Sequence, residues 1–600
     1  MTPSGADSAS ERRRSLPAWR RFGSAFLAAF FPGALAGALL AGILFFLNPQ
    51  LPFDAHHLGR GVLFYGGLVG LAGAAILLPL MRADAERLWR AFPVAMTAAL
   101  LIAAIGFWVH PYYYGYYLPP GINTRLLKVA SAISLAAVVC FYSIIWHQWR
   151  RRPYRPRSIA LFAAMAFLAL LVTVERREAF RPSQDSFRAT TFEGHNRPFL
   201  CVVGIESATL DALLPLAEQG RLPFFGRMLA EGARARVSSL APPRRLPLWT
   251  TVSTGKLPYR HTVVDERRFA APFLEDQLEL RLLPARIGFT RWGFLSSARR
   301  VDSRDGKMLP LWRILARLGV PTAAVDWPLT SPVPGELRFV LGDAYFRNSG
   351  GRGGLPRGGA DEVIPAELLQ RAQLFQTSID SIDPDLLARF GENLPRSLRE
   401  GLAGDLWRQD LGLYLLAPEQ NAESLFLFLP GLREASGRYF GGFSAVQFEG
   451  SRAADAGAAA QKVIAYYRQL DDYLAKLWTA GEGDMWLVVV SVSGVDDAEG
   501  WDAWKRLVIG KKPLEGEVDT GADGLYLFLG EGFARGAFVR KAKLVDLVPT
   551  LLYGLGFPIA RDLDGDILTE VFETSFIAGR PLSFVPSYET FSGPARAEPP

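Results

Sequence analysis

The first 175 residues carry five apolar runs, at about 22–47, 61–81, 91–109, 127–146 and 158–174. Each is near the ~20 residues that a helix needs to cross a bilayer, the fifth being the shortest. A cleaved signal peptide does not fit, because the apolar pattern continues past one segment. The arginines set the expected orientation. The tail, 1–21, carries Arg12, Arg13, Arg14, Arg20 and Arg21. The second connection carries Arg82, Arg87 and Arg90, and the fourth Arg150, Arg151, Arg152, Arg155 and Arg157. The first connection has one arginine at its edge, and the third, HPYYYGYYLPPGINTR, is aromatic and nearly uncharged. A cytoplasmic tail follows, with a transmembrane region at 22–175 and everything after five crossings outside. None of the runs contains a pair of charges, so an anchor is expected and a transport path is not.

Six hundred residues exceed one core. The net charge of +7 is concentrated near the apolar segments and no recognition motif accompanies it. The bilayer is therefore an expected partner and nucleic acid is not. The two cysteines, Cys140 and Cys201, fall in an apolar run and an apolar strand, so no disulfide is expected.

Residues 176–197 are polar and read as a linker. Beyond them, PFLCVVGIESATLDALLPL predicts a buried strand at 199–205, a polar tip at Glu206 and Ser207, and a helix from about Leu210. Functional residues of open α/β sheets sit at the carboxyl ends of such strands, which singles out Glu206. A helix is expected at 310–320 and a strand at 321–329. Further strands are expected at 424–430, 484–494 and 524–530, and a long helix at 453–478. Continuous apolar strands alternating with helices imply an α/β sandwich around a central, mostly parallel sheet, spanning 198–586. NSGGRGGLP lacks the spacing of a phosphate-cradling loop and reads as a plain loop. The leucine-patterned stretch 348–420 reads as an insertion or cap, and 587–600 as a frayed tail.

Four stretches carry a family resemblance: VVGIESATLDALLPLAEQGRLPFFGRMLAEGA, PPRRLPLWTTVSTGKLPYRH, LWRILARLGVPTAAVDWPLTSP and LVDLVPTLLYGLGFPIARDLDGDIL. Together they resemble the alkaline phosphatase superfamily, in its type I phosphodiesterase/nucleotide pyrophosphatase-like branch, over about 198–570. The resemblance implies an alkaline-phosphatase-like α/β/α sandwich. It also implies two metal ions, usually zinc, on Asp and His ligands, activating a Ser or Thr hydroxyl for attack on phosphorus.

The residues at those positions are different. The histidines are His56, His57, His110, His147, His195 and His261, and none follows His261. The three histidines that such a two-zinc site takes from later strands cannot be supplied. By the resemblance, Glu206 stands at the opening metal Asp and Arg245 at the nucleophile. Arg433 and Gly437 stand at the Asp-x-x-x-His pair, Val492 and Ser493 at the Asp-His pair, and Thr520 at the last ligand. No intact catalytic set and no zinc cofactor is expected. Thr250, with Thr251 beside it, is the candidate for a displaced nucleophile. Asp496, Asp497, Asp519 and Asp523 offer oxygen ligands suited to calcium or magnesium. They read otherwise as solvated loop acids, and Arg245 and Arg433 would repel a cation.

The expected function is a membrane-anchored extracytoplasmic pseudoenzyme that binds, scaffolds or regulates in the cell envelope, with an anionic ligand or an envelope protein as partner. The alternative is an active phosphodiesterase, or a phospho-headgroup transferase or hydrolase, with an altered metal site. Multiple spans before such a domain resemble, in architecture alone, the phosphoethanolamine and glycerol-phosphate transferases of bacterial envelopes. A buried Glu206 without metal costs several kcal/mol unless paired. Arg245 or Arg433 is expected to pair with it, and the excess guanidinium makes the two an anion-binding candidate. If both swing out to solvent, the site has simply decayed.

Overall fold

The computed structural model describes residues 17–154, 156–174, 197–275, 278–284, 297–349, 362–481, 484–495 and 523–589. The chain forms two compact units: Met1–Arg181 with Arg267–Arg300, and Pro182–Glu266 with Val301–Pro600.

The first unit contains α1 (Ala18–Leu47), α2 (Ala55–Leu80), α3 (Ala85–Tyr113), α4 (Pro120–Trp149) and α5 (Pro156–Leu171). The starts of three are written locally. Asp54 accepts from the His57 amide before α2, Asp84 from the Glu86 and Arg87 amides before α3, and Pro120 takes the first position of α4. Four helices are long and apolar enough to cross a membrane. Of the five expected spans, the fifth is a helix of 16 residues, about 24 Å at the usual rise. It still runs from one end of the bundle toward the other. Ser158 Oγ is 2.9 Å from His147 Nε2 near the end of α4. Thr173, just past α5, lies beside Gly42, five residues before the end of α1. α1 and α2 touch backbone to backbone, since a Cβ on Gly37 would meet the Tyr65 carbonyl oxygen at 2.1 Å.

Segment Arg267–Arg300 belongs to this unit, which departs from the expectation of an uninterrupted domain over 198–586. Strands β3 (Arg267–Ala270) and β4 (Ser297–Arg300) form an antiparallel ribbon. Beyond it, Phe269, Phe273, Leu280 and Leu283 pack with Leu44 and Phe45 of α1. Asn48, fully buried, donates to the Leu282 carbonyl at 2.8 Å and accepts from the Arg281 and Leu282 amides.

In the second unit nine strands among the described residues form one sheet, in the order β11-β2-β10-β9-β1-β8-β5-β6-β7. They are β1 (Phe199–Ile205), β2 (Ala233–Ser238), β5 (Thr322–Val325), β6 (Phe339–Leu341), β7 (Val363–Ile364), β8 (Ser424–Leu429), β9 (Met485–Ser491), β10 (Gly524–Leu529) and β11 (Phe538–Lys543). β1 lies parallel between β8 and β9, and β5 and β6 continue that direction. β10 runs antiparallel to β9 and β2. Side chains alternate across β1, with Cys201 and Val203 in one core and Leu200 and Val202 in the other.

Helices cover both faces. On the first lie α6 (Leu210–Glu218), α8 (Arg396–Leu416), α9 (Leu432–Gln447) and α10 (Ala454–Ala480); on the second lie α7 (Arg245–Thr254) and α11 (Leu547–Gly554). Two expectations need correction. The stretch 348–420 is no detachable cap beyond its undescribed start, because Leu398, Leu402, Leu411 and Leu415 of α8 are buried in the sheet-covering core. The tail does not fray from 587. Lys256, 2 % exposed, needs counter-charges, and Nζ finds Asp562 and Glu589, each at 2.7 Å.

Candidate functional site

β1 delivers Glu206 at its carboxyl end, 6 % exposed. Ser207 follows in the left-handed region, φ 67°, which turns the chain toward the Thr209 cap of α6. Arg245 is the first residue of α7, so its side chain starts from a helix and not from a loop. Its Nε lies 2.6 Å from Glu206 Oε1, and its guanidinium sits 5.5 Å from the centre of the Phe428 ring. Arg433, in the first turn of α9, places Nη1 4.0 Å from the same oxygen. The expected pairing is present, and Arg245 makes the close contact. The Arg245 side chain stays 40 % exposed, so water screens its half of the pair while Glu206 is desolvated. Among the described residues Glu206 Oε2 is buried without a hydrogen-bond partner.

A second set of charges extends from this pair. Asp326 follows β5 with φ 52°, and its carboxylate meets Arg408 Nε at 2.6 Å. Arg408 also reaches within 4.0 Å of Asp405, which is fully buried. Asp405 accepts from the Gly431 amide at 3.1 Å and the Tyr466 hydroxyl at 2.8 Å, fixing the turn that starts α9. Burial pushes Asp326 up to about 6 although Arg408 pulls it back, and neighbouring Asp343 adds to the rise. Burial likewise pushes Asp405 up to about 7 against the pull of Arg408 and Tyr466. Carboxylates and guanidiniums thus alternate from Glu206 through Arg245, Asp326 and Arg408 to Asp405.

The remaining positions carry little donor chemistry. Gly437 is exposed one turn beyond Arg433 on α9, and Val492 and Ser493 are buried just after β9. The Thr250 hydroxyl donates to the Leu246 carbonyl at 2.7 Å inside α7, which occupies its proton. His261 is fully buried. The Val263 amide donates to its Nδ1, so Nε2 carries the proton and faces Thr251 Oγ1 at 3.0 Å. Thr520, Asp496, Asp497 and Asp519 lie outside the described residues, and Asp523 acts on Arg236 beside β10. Among the described residues no group of three or more His, Cys, Asp or Glu is placed to hold a metal ion.

The family model of type I phosphodiesterase / nucleotide pyrophosphatase matches residues 200–532, more than half of the chain. The chain belongs to this family. The phosphodiesterase unit is an α/β domain around a mostly parallel central sheet, and the chain before it holds four long apolar helices. Among solved structures it is similar to murine ectonucleotide pyrophosphatase / phosphodiesterase 5, at 12 % identity and a TM-score of 0.34, over 62 % of this chain and 100 % of that one. It is also similar to a mutant of alkaline phosphatase PafA, at 11 % identity and a TM-score of 0.40, over 64 % of this chain and 100 % of that one. Phosphonoacetate hydrolase from Sinorhizobium meliloti is similar at 14 % identity and a TM-score of 0.29, over 55 % and 66 % of the two chains. No protein with a curated description matches the sequence.

Proposed function

We propose that this phosphodiesterase-family chain is a membrane-anchored, extracytoplasmic pseudoenzyme that binds an anion or an envelope partner through the edge around Glu206. The observation that carries the reading is the ion pair of Glu206 with Arg245 at 2.6 Å. In active members a hydroxyl and metal cations are expected at these positions. Here a guanidinium supplies the positive charge, with a second one, Arg433, 4.0 Å from the same carboxylate oxygen. The donor set does not fit the zinc pair: one carboxylate oxygen is already engaged by an arginine, and Val492 and Gly437 have no ligating side chain.

Two observations support the extracytoplasmic placement. The arginine-rich connections lie at one end of the helices. Asn48 and Tyr114, at the other end, hold the backbone at Leu282 and Leu283. With the tail inside, that end is the outer one, which supports a crossing at α5.

Hydrolysis of a generic aryl phosphodiester by the full chain tests the reading. None above background is expected. Hydrolysis that disappears both with a chelator and in Glu206→Ala would favour the active alternative.

A further inference from the structure

We propose that Asp405, buried in α8, is a positioning residue for Arg433: it holds the turn from which α9 starts, and so sets where the Arg433 guanidinium stands relative to Glu206. The inference deepens the reading of Glu206, Arg245 and Arg433 as an anion-binding edge, and rests on that reading for its consequence in binding. All the residues involved belong to the second unit.

The sheet brings Glu206 and Arg433 to the same edge. Ile205, the last residue of β1, is in register with Leu429, the last of β8, and the Glu206 amide donates to the Leu429 carbonyl at 3.2 Å. Only Pro430, Gly431 and Leu432 separate that anchor from Arg433. The reach of Arg433 toward Glu206 is therefore decided at the Gly431 turn. Gly431 is the N-cap of α9 and offers the turn no side chain of its own. The acceptor comes from another helix. Both oxygens of Asp405 lie 3.1 Å from the Gly431 nitrogen, and the Tyr466 hydroxyl of α10 donates to Oδ2 at 2.8 Å. The fit leaves no slack: a Cβ on Gly431 would meet the Tyr466 hydroxyl at 1.9 Å and Asp405 Oδ2 at 2.6 Å.

Capping alone does not call for this residue. A Ser, Thr, Asn or Asp at the N-cap would serve from within the turn. A carboxylate sunk completely in a core costs free energy unless its charge is met. The guanidinium that faces Asp405, that of Arg408, stands 4.0 Å away and is committed to Asp326 at 2.6 Å. Burial pushes Asp405 up to about 7, so at neutral pH its charge is held at a cost to the fold. A group that costs stability and yet fixes a turn beside the Glu206 edge is explained by the geometry it maintains there.

Sulfate titrated into the full chain in lipid nanodiscs at pH 8 tests this, in a cycle with Arg433→Gln. Asp405→Ala is expected to weaken binding about tenfold when Arg433 is present and less than about twofold in the Arg433→Gln background. Asp405→Asn still offers the Gly431 amide an oxygen and Tyr466 a partner, and is expected to bind within about twofold of wild type. Equal losses in both backgrounds, no loss in Asp405→Ala, or a loss in Asp405→Asn as large as in Asp405→Ala would overturn the proposal. If Asp405→Ala does not fold, Tyr466→Phe is expected to weaken binding about threefold, again only when Arg433 is present, and no loss there also overturns it. A wild type that binds no sulfate would defeat the anion reading, and amide hydrogen exchange then decides the positioning. Exchange over 431–436 is expected to be about tenfold faster in Asp405→Ala than in wild type or Asp405→Asn, with 424–429 and 485–491 unchanged. Unchanged exchange, or a rise that includes the central strands, would overturn the proposal.

Discussion

Replacing Arg245 with Ala leaves Glu206 desolvated beside Arg433 alone at 4.0 Å. A loss of about 2–4 kcal/mol is expected at neutral pH. Glu206→Gln removes the charge and strands only a half-exposed arginine, so about 1 kcal/mol is expected. Denaturant melts of the two variants check the order, and equal losses would mean that the pair is not what stabilises the edge. Asp326 and Asp405 set a pH dependence. Both hold protons at a higher pH than their unfolded values near 4, to about 6 and about 7. Between those values the folded state binds more protons, so these two groups make stability fall as pH rises from about 4 to 7. Melts at pH 5 and pH 8 should differ by roughly 4 kcal/mol in that direction from these groups. Asp405→Asn should flatten the difference, and an unchanged slope in that variant would reject the assignment. Sequence made Glu206, Arg245 and Arg433 legible because each replaces a residue in a motif. Asp326 had a readable signal too, a carboxylate at the end of a strand in an α/β sheet. Arg408 had none, because its partner lies 82 residues away in the chain and nothing local marks the pair.

The elements that sequence showed best are those whose pattern is set by burial on both sides. β8, β9 and β10 lie within the expected apolar runs, because a central strand covered on two faces has no polar side. β2, ARARVS, was not legible: arginines alternate with its buried alanines and valine and leave no apolar run. The segment 267–300 was missed for a different reason. Its apolar residues face helices that sequence placed in another domain, so nothing local distinguishes it from a loop of the phosphodiesterase unit. The stretch 348–420 misled because a helix rich in leucine and arginine looks the same on a cap as on a sheet. Leu411→Ala in α8 tests the difference. It should cost about 2–4 kcal/mol of the unit's stability, as for a fully buried core leucine. A change below about 1 kcal/mol would restore the cap.

At the scale of the whole molecule, the proposed function joins apolar helices acting as an anchor to a phosphodiesterase-family domain in which ion pairs stand in for metal chemistry. Its topology is testable by cysteine labelling in intact cells. An impermeant reagent should label Lys541→Cys and leave Arg87→Cys unlabelled, in a background with Cys140 and Cys201 replaced. Labelling of neither would mean that α5 does not cross, and the reverse pattern that the whole bundle is inverted. The central claim concerns what stands where the family resemblance puts two metal ions, and elemental analysis of the full chain, purified from zinc-supplemented cells without chelators, tests it most directly. The account predicts zinc far below one ion per chain, unchanged in Glu206→Ala. Two zinc ions per chain, lost in Glu206→Ala, would contradict it.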